Sequence, residues 1–313
     1  MSTVSLSQSI VGVEHWVTKT RASGPVRLYA WEKYSTAFEG NFAGTALLVH
    51  GSSMASTPSF DLQVLGHPGE HSLMDFLAEH GFDVWCFDCE GYGRSDKTRD
   101  SKFFVSDGAD DAAAVADYAR NLRGAERFLV FGVSSGALRA AMMAERRPEL
   151  VQRMILDAFV WTGEGSPTLE ERRKRLPQFE ASNRRPIDPA FVRSIFTRDH
   201  PGTAEDEVIE AFADAILALD DSVPNGTYVD MCTNLPLVDP RNLDAPVMIM
   251  RGEHDGIAGF DDLLAFYKLL PNADKQFVVM PGSAHSSLHE KNYRTVFHLI
   301  LGFFTQPAPI YTG

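Results

Sequence analysis

Cysteine is scarce: Cys86, Cys89 and Cys232 are the only three in 313 residues. So low and odd a count excludes a disulfide-built scaffold and fits a reducing compartment. Cys86 and Cys89 form a C-x-x-C pair. On the strand expected over residues 83–88 their odd spacing turns them to opposite faces, and no second pair completes a zinc site. They read as core residues. Long hydrophobic runs are missing too. No apolar stretch approaches the roughly 20 residues of a membrane-spanning helix. The first residues, Met1-Ser2-Thr3-Val4-Ser5-Leu6, lack a basic segment followed by an apolar one. The expectation is a soluble, cytoplasmic protein. Positive charge is in deficit: 29 Lys+Arg against 42 Asp+Glu give a formal net charge of −13. That argues against nucleic acid or an anionic membrane surface as a partner. There is no phosphate-binding loop of the P-loop or dinucleotide type, no internal repeat and no low-complexity tract. His67-Pro68-Gly69-Glu70-His71 has ligand-type residues but no third cluster to complete a site. No metal and no cofactor are expected.

What is present is a chain long enough for one large domain or a domain with an insertion. Residues 11–18 and 26–32 alternate and read as an opening hairpin. Continuous apolar runs at 45–50, 82–88, 127–131, 153–157, 246–250 and 276–280 read as strands buried on both faces. Between them lie helical stretches at 72–80, 107–122, 137–144, 260–270 and 293–304. Strands alternating with helices imply an α/β fold with a mostly parallel sheet covered on both faces. The alternation breaks between about 160 and 242, where a polar, charged stretch shows helices at 168–176, 189–197 and 205–219 and no strand like the central ones. It reads as a helical cap inserted above the carboxyl ends of the strands, where open α/β sheets bind ligands. The expected division is therefore core over 1–159, cap over 160–242 and core over 243–313. The loop at 54–70 is long for a strand-to-helix connection.

The most informative segment is Gly132-Val133-Ser134-Ser135-Gly136. A strand precedes it and a helix follows it, as in a nucleophile elbow, where a sharp turn exposes a strained serine above the sheet. Serine needs a base, and the base needs an orienting acid. Asp255 follows the strand ending at Met250-Arg251-Gly252, with Glu253 as the alternative acid. His285 follows the next strand, in Gly282-Ser283-Ala284-His285. The order Ser134, Asp255, His285 is the one associated with this elbow. Oxyanion donors are expected from the backbone N–H of Ser135, at a helix start, and of Ser52, with Ser53 as second choice, in His50-Gly51-Ser52-Ser53. Candidate substrate-lining residues in and beside the cap are Phe159, Trp161, Phe179, Phe196, Phe212, Tyr228 and Met231. Arg172–Arg175 read as a solvated helix face.

On these residues, together with Gly91-Tyr92-Gly93-Arg94-Ser95, the chain resembles the α/β-hydrolase fold superfamily along nearly its whole length. The resemblance implies an eight-stranded, mostly parallel sheet with a cap between the sixth and seventh strands. It also implies a triad of Ser134 as nucleophile, Asp255 as acid and His285 as base. The implied function is a serine hydrolase acting through an acyl-enzyme on a small-molecule carboxylic ester, lactone, thioester or amide. A carbon–carbon bond hydrolase of ring-cleavage products, an acyltransferase, a proline aminopeptidase and a hydrolase-fold ligand receptor are the alternatives. The expected partner is a small-molecule substrate, with a homodimer left open.

Overall fold

The computed structural model describes residues 9–97 and 100–311. In chain order its strands and helices are β1 (Ile10–Arg21), β2 (Gly24–Ser35), β3 (Gly44–Val49), α1 (Ser56–Phe60), α2 (Leu73–Glu79), β4 (Phe82–Phe87), α3 (Val105–Arg123), β5 (Phe128–Val133), α4 (Ser135–Arg146) and β6 (Val151–Asp157). There follow α5 (Pro167–Arg173), α6 (Leu176–Ala181), β7 (Arg184–Pro186), α7 (Pro189–Thr197), α8 (Asp206–Leu217), β8 (Ser222–Pro224) and α9 (Gly226–Thr233). The chain closes with β9 (Val247–Gly252), α10 (Phe260–Leu269), β10 (Lys275–Met280) and α11 (Tyr293–Thr305).

Eight strands form one sheet in the order β1-β2-β4-β3-β5-β6-β9-β10. β2 is antiparallel to both β1 and β4, and the other pairs are parallel. The central strands β3, β4 and β5 are almost wholly buried, as their continuous apolar sequences require when helices cover both faces. Residues of α3, α4 and α10 pack into one core, and those of α2 and α11 into the other. Cys86 lies in the second core and Cys89 in the first, so the C-x-x-C pair is split by the sheet, and burial raises both thiol pKa values.

Between β6 and β9 the chain forms α5–α9 and a two-stranded antiparallel ribbon of β7 and β8. The expected helix at 168–176 is two helices, because Pro177 supplies no N–H to continue α5 and instead sits in the first turn of α6. The ribbon escapes an alternation reading because each strand has only three residues. This stretch is tied down by Gly226 N–H to Lys102 O at 2.6 Å, Val105 N–H to Asp230 at 2.8 Å and Gly93 N–H to Asp220 at 2.9 Å. Gly91-Tyr92-Gly93-Arg94-Ser95 is a turn wrapped on the buried Asp88, which accepts the Ser56 and Arg94 N–H groups.

Candidate active site

Ser134 sits between β5 and α4 with φ 56° and ψ −128°, a strained backbone for a non-glycine residue. Its N–H is held by Asp157 O at 2.8 Å. The flanking glycines are needed for space. A Cβ on Gly132 would come within 2.6 Å of Gly136 O, and one on Gly136 would come within 2.6 Å of His50 O and nearer still to Val49 O. The turn thus brings α4 hard against the end of β3 and leaves the Ser134 side chain partly accessible.

His285 Nε2 lies 3.2 Å from Ser134 Oγ. Its Nδ1 lies 3.1 and 3.2 Å from the two carboxylate oxygens of Asp255. An ionised carboxylate only accepts, so Nδ1 carries the proton and Nε2 is free to accept one from the serine hydroxyl. Burial works against the charged form of Asp255. The His285 charge and hydrogen bond outweigh it, with the N–H groups of Ile257 and Ala258, and the carboxyl stays below its ordinary pKa. Glu253 is turned away and accepts the Gly282 N–H at 2.9 Å. His254 stacks on His200 at 3.9 Å between ring centroids.

Gly51 abuts Ser134: a Cβ built on it would lie 3.3 Å from the Ser134 Cβ. The loop at 50–53 is braced from behind by Arg139, a fully buried residue of α4, whose guanidinium donates to His50 O at 2.8 Å and to Thr227 at 3.2 Å. The buried His50 donates from Nδ1 to Gly51 O at 2.7 Å and accepts the Cys89 N–H on Nε2 at 3.0 Å. Burial and the Arg139 charge push its pKa down to about 3, so it is a neutral strut. Ser52 O accepts from Arg185 at 2.8 Å, and Ser53 Oγ contacts Arg185 at 2.8 Å and the Tyr228 hydroxyl at 3.2 Å. Ser135 is the first residue of α4, so its backbone N–H has no acceptor within the helix.

The cavity beside Ser134 is small, about 30 Å³, and is lined by Met54, Ser59, Phe212, His285 and His289 among others. Of the seven lining candidates, Phe212 faces it. Tyr228 reaches Ser53 instead. Phe159 and Trp161 pack on Phe266 of α10, Phe179 on Tyr228, Phe196 on Phe212, and Met231 against Arg172. His289 is buried, bonded to Ser59 O at 3.1 Å, and pushed by burial to a pKa of about 3. A wider groove of about 660 Å³ between α2 and α11 has no serine–histidine pair.

Besides Arg185, three contributors went unseen in the sequence. Glu290, buried, accepts the N–H of Ala284 at 2.7 Å and of Ser286 at 3.2 Å, clasping the loop that carries His285. Asp199, just after α7, places a carboxylate oxygen near the Asp255–His285 pair. These three could hold a metal ion by spacing, but Asp255 and His285 already spend their ligand atoms on each other. Arg172 is the third. It is no solvated face: its guanidinium carbon lies 3.9 Å from the centre of the Tyr228 ring. A local spacing rule exists for none of them; each gains its place through tertiary contact.

The sheet order and the strained serine at its centre are those of an α/β hydrolase. The family described as "Serine aminopeptidase, S33" matches residues 69–292, most of the chain, and the chain belongs to that family. A search of curated proteins gave no match. Among solved structures, it is similar to a thermophilic esterase from Thermogutta terrifontis, malate bound (21% identity, 93% of this chain and 97% of that one, TM-score 0.68). It is similar to 2-hydroxy-6-oxo-6-phenylhexa-2,4-dienoate hydrolase from Rhodococcus sp. strain RHA1 (16% identity, 95% and 99%, TM-score 0.67). It is also similar to a monoacylglycerol lipase from Paleococcus ferrophilus (18% identity, 88% and 99%, TM-score 0.64). At these identities the likeness is one of fold.

Proposed function

We propose that this hydrolase cleaves a small-molecule carboxylic ester through an acyl-enzyme on Ser134. The observation that carries the reading is the unbroken chain Ser134 Oγ, His285, Asp255, at 3.2 Å and 3.1 Å. His285 Nε2 takes the hydroxyl proton as Oγ attacks the carbonyl carbon. The oxyanion is received by the Ser135 N–H, at the positive end of α4, and by the Ser52 N–H. His285 then protonates the leaving alcohol, and water repeats the sequence on the acyl-enzyme. The stretch over 160–242 acts as a cap. It supplies Phe212 to the cavity beside Ser134.

The test is a panel of 4-nitrophenyl esters of increasing acyl length, with fluorophosphonate labelling in parallel. Ser134→Ala should abolish labelling and lower kcat on the order of 10⁶-fold. Near-native turnover by that variant refutes the assignment. A carbon–carbon bond hydrolase is the second reading, since it would use the same three residues and one structural relative is named as a dienoate hydrolase. An aminopeptidase must bind an ammonium group, yet the charged side chain touching Ser52 and Ser53 is an arginine.

A further inference from the structure

Two arginines from separate elements converge on one tyrosine beside the proposed oxyanion loop. The guanidinium carbons of Arg172 in α5 and Arg185 in β7 lie 3.9 and 3.6 Å from the Tyr228 ring centre. Arg185 is 8% exposed. Its Nη atoms serve Pro224 O, Ser52 O and Ser53 Oγ, while its Nε is buried with no partner. Besides the Tyr228 ring, Arg172 has a 3.8 Å contact with Met231 Sδ, and it keeps accessible surface. Among the described residues, no carboxylate forms an ion pair with either guanidinium. The groups that act most strongly on the Arg172 charge are Tyr228, Arg198, Arg185 and Cys232. Arg198 has its own partner in Asp199, at 3.6 Å.

The charges do not balance from within. The arginines lower the phenol pKa of Tyr228 to about 6, against burial, which raises it. Yet a fully ionised Tyr228 neutralises only one of the two. A partly buried cation without a carboxylate partner is a ready receptor for a ligand anion.

The cluster is also joined to the loops on both sides of the reaction centre. On one side Tyr228 and Arg185 hold Ser53 and Ser52, next to Gly51, which abuts Ser134. On the other side the start of α5 is pinned to the acid loop, with Thr168 N–H and Ser166 Oγ both donating to Gly256 O at 3.2 and 3.3 Å. Arg172 is one helical turn further on, about 6 Å along the axis.

We propose that Arg172, Arg185 and Tyr228 form a subsite for a carboxylate carried by the substrate, making this an enzyme for half-esters of dicarboxylic acids. Arg172, the freer of the two guanidiniums, grips the carboxylate, in the fork geometry that suits it. Arg185 fixes the oxyanion loop and adds field. The proposal rests on the Ser134 reading for its reaction, but not for its binding.

The test compares 4-nitrophenyl monoesters of adipic and suberic acid with their methyl-capped, neutral counterparts. The wild-type chain should prefer the free acids at least tenfold in kcat/KM. Arg172→Gln should erase that preference, lowering kcat/KM for the free acids at least tenfold more than for the neutral esters, and Arg172→Lys should restore part of it. Binding of adipate to Ser134→Ala, measured by calorimetry, should weaken at least tenfold when Arg172→Gln is added. Equal use of acids and capped esters, with turnover still dependent on Ser134, overturns the subsite and leaves the nucleophile standing. Arg172-dependent adipate binding in a chain that hydrolyses no ester supports the subsite and overturns the ester reading. Adipate that fails to bind, or binds Arg172→Gln equally well, overturns the subsite directly.

Discussion

Asp157 offers a test of how the fold manages charge behind Ser134. It ends β6, is fully buried, and its backbone oxygen holds the Ser134 N–H. One side-chain oxygen lies 2.7 Å from Ser287 Oγ, and the other has no hydrogen-bond partner of good geometry among the described residues. Burial raises its pKa; the Ser287 hydrogen bond opposes, while the charges of Asp255 and Glu290 add to the rise. The result is about 8, from an ordinary 3.8. Between those two values the folded chain holds a proton that the unfolded chain has released. Stability therefore falls as pH rises through that window. At 1.36 kcal/mol per unit, the interval from 3.8 to pH 7 amounts to about 4 kcal/mol. Asp157→Asn is neutral throughout and nearly isosteric. It should match the wild type near pH 4, exceed it by about 4 kcal/mol at pH 7, and gain nothing more above about pH 8. Urea unfolding at pH 4.5, 7 and 9 measures the difference, and ester turnover should stay near native. A stability difference that does not change with pH, or a loss that grows with pH, refutes the reasoning.

Other expectations follow from single contacts. Asp255→Asn keeps the shape but loses the tautomer control of His285, so kcat should drop about 10⁴-fold with the melting curve little changed; a small loss would mean that another acid serves. Glu290→Gln weakens the clasp on the Ala284 and Ser286 N–H groups, and a loosened His285 should lower kcat roughly ten- to a hundredfold while KM holds. A change in KM alone would show that Glu290 does not position the histidine. Gly136→Ala drives a methyl into the carbonyls of Val49 and His50 and should cost at least about 1–3 kcal/mol in urea unfolding, with loss of fluorophosphonate labelling; a native-like variant would show that the elbow has room to relax.

What could be read from the chain depended on whether a residue's role is local. The elbow is local: two glycines flank a serine between a strand and a helix, and the steric reason lies within five residues. Asp255 and His285 were legible because each follows the carboxyl end of a buried strand, and in a parallel sheet those ends share one side. The same logic makes Ser52 and Ser135 the expected oxyanion donors. Arg172 was not legible, because one turn of α5 presents Arg172 inward and Arg173 outward, and nothing in the run of basic residues tells them apart. Arg185 was hidden for another reason: a three-residue strand shows no alternation. The aromatic candidates illustrate a third limit. Phe159 and Trp161 are apolar and near the sheet end, as lining residues would be, but a helix 100 residues away claims them through Phe266.

The crowding of acids around His285 raises the question of why one of them should serve. Asp255, Asp157, Glu290 and Asp199 all lie close to that loop, and a second full charge there would compete for the imidazole. The partners separate them. Asp255 is lowered because His285 and two backbone N–H groups meet its oxygens. Asp157 is raised to about 8 and is neutral at pH 7, so it leaves the field to Asp255. Burial also raises Glu290, whose oxygens are occupied by the Ala284 and Ser286 N–H groups. Asp199 is met by Arg198 at 3.6 Å and by the Thr168 hydroxyl at 3.0 Å. The same carboxyl chemistry thus gives an acid, a neutral spacer, a clasp and a counter-ion, set apart by desolvation and donors alone. If that sorting is right, the Asp157→Asn and Asp255→Asn variants differ in opposite senses: the first gains stability and keeps turnover, and the second keeps stability and loses turnover. Equal effects from the two would mean that the relay acid is shared across the β6 and β9 ends, and the single-acid reading would fall.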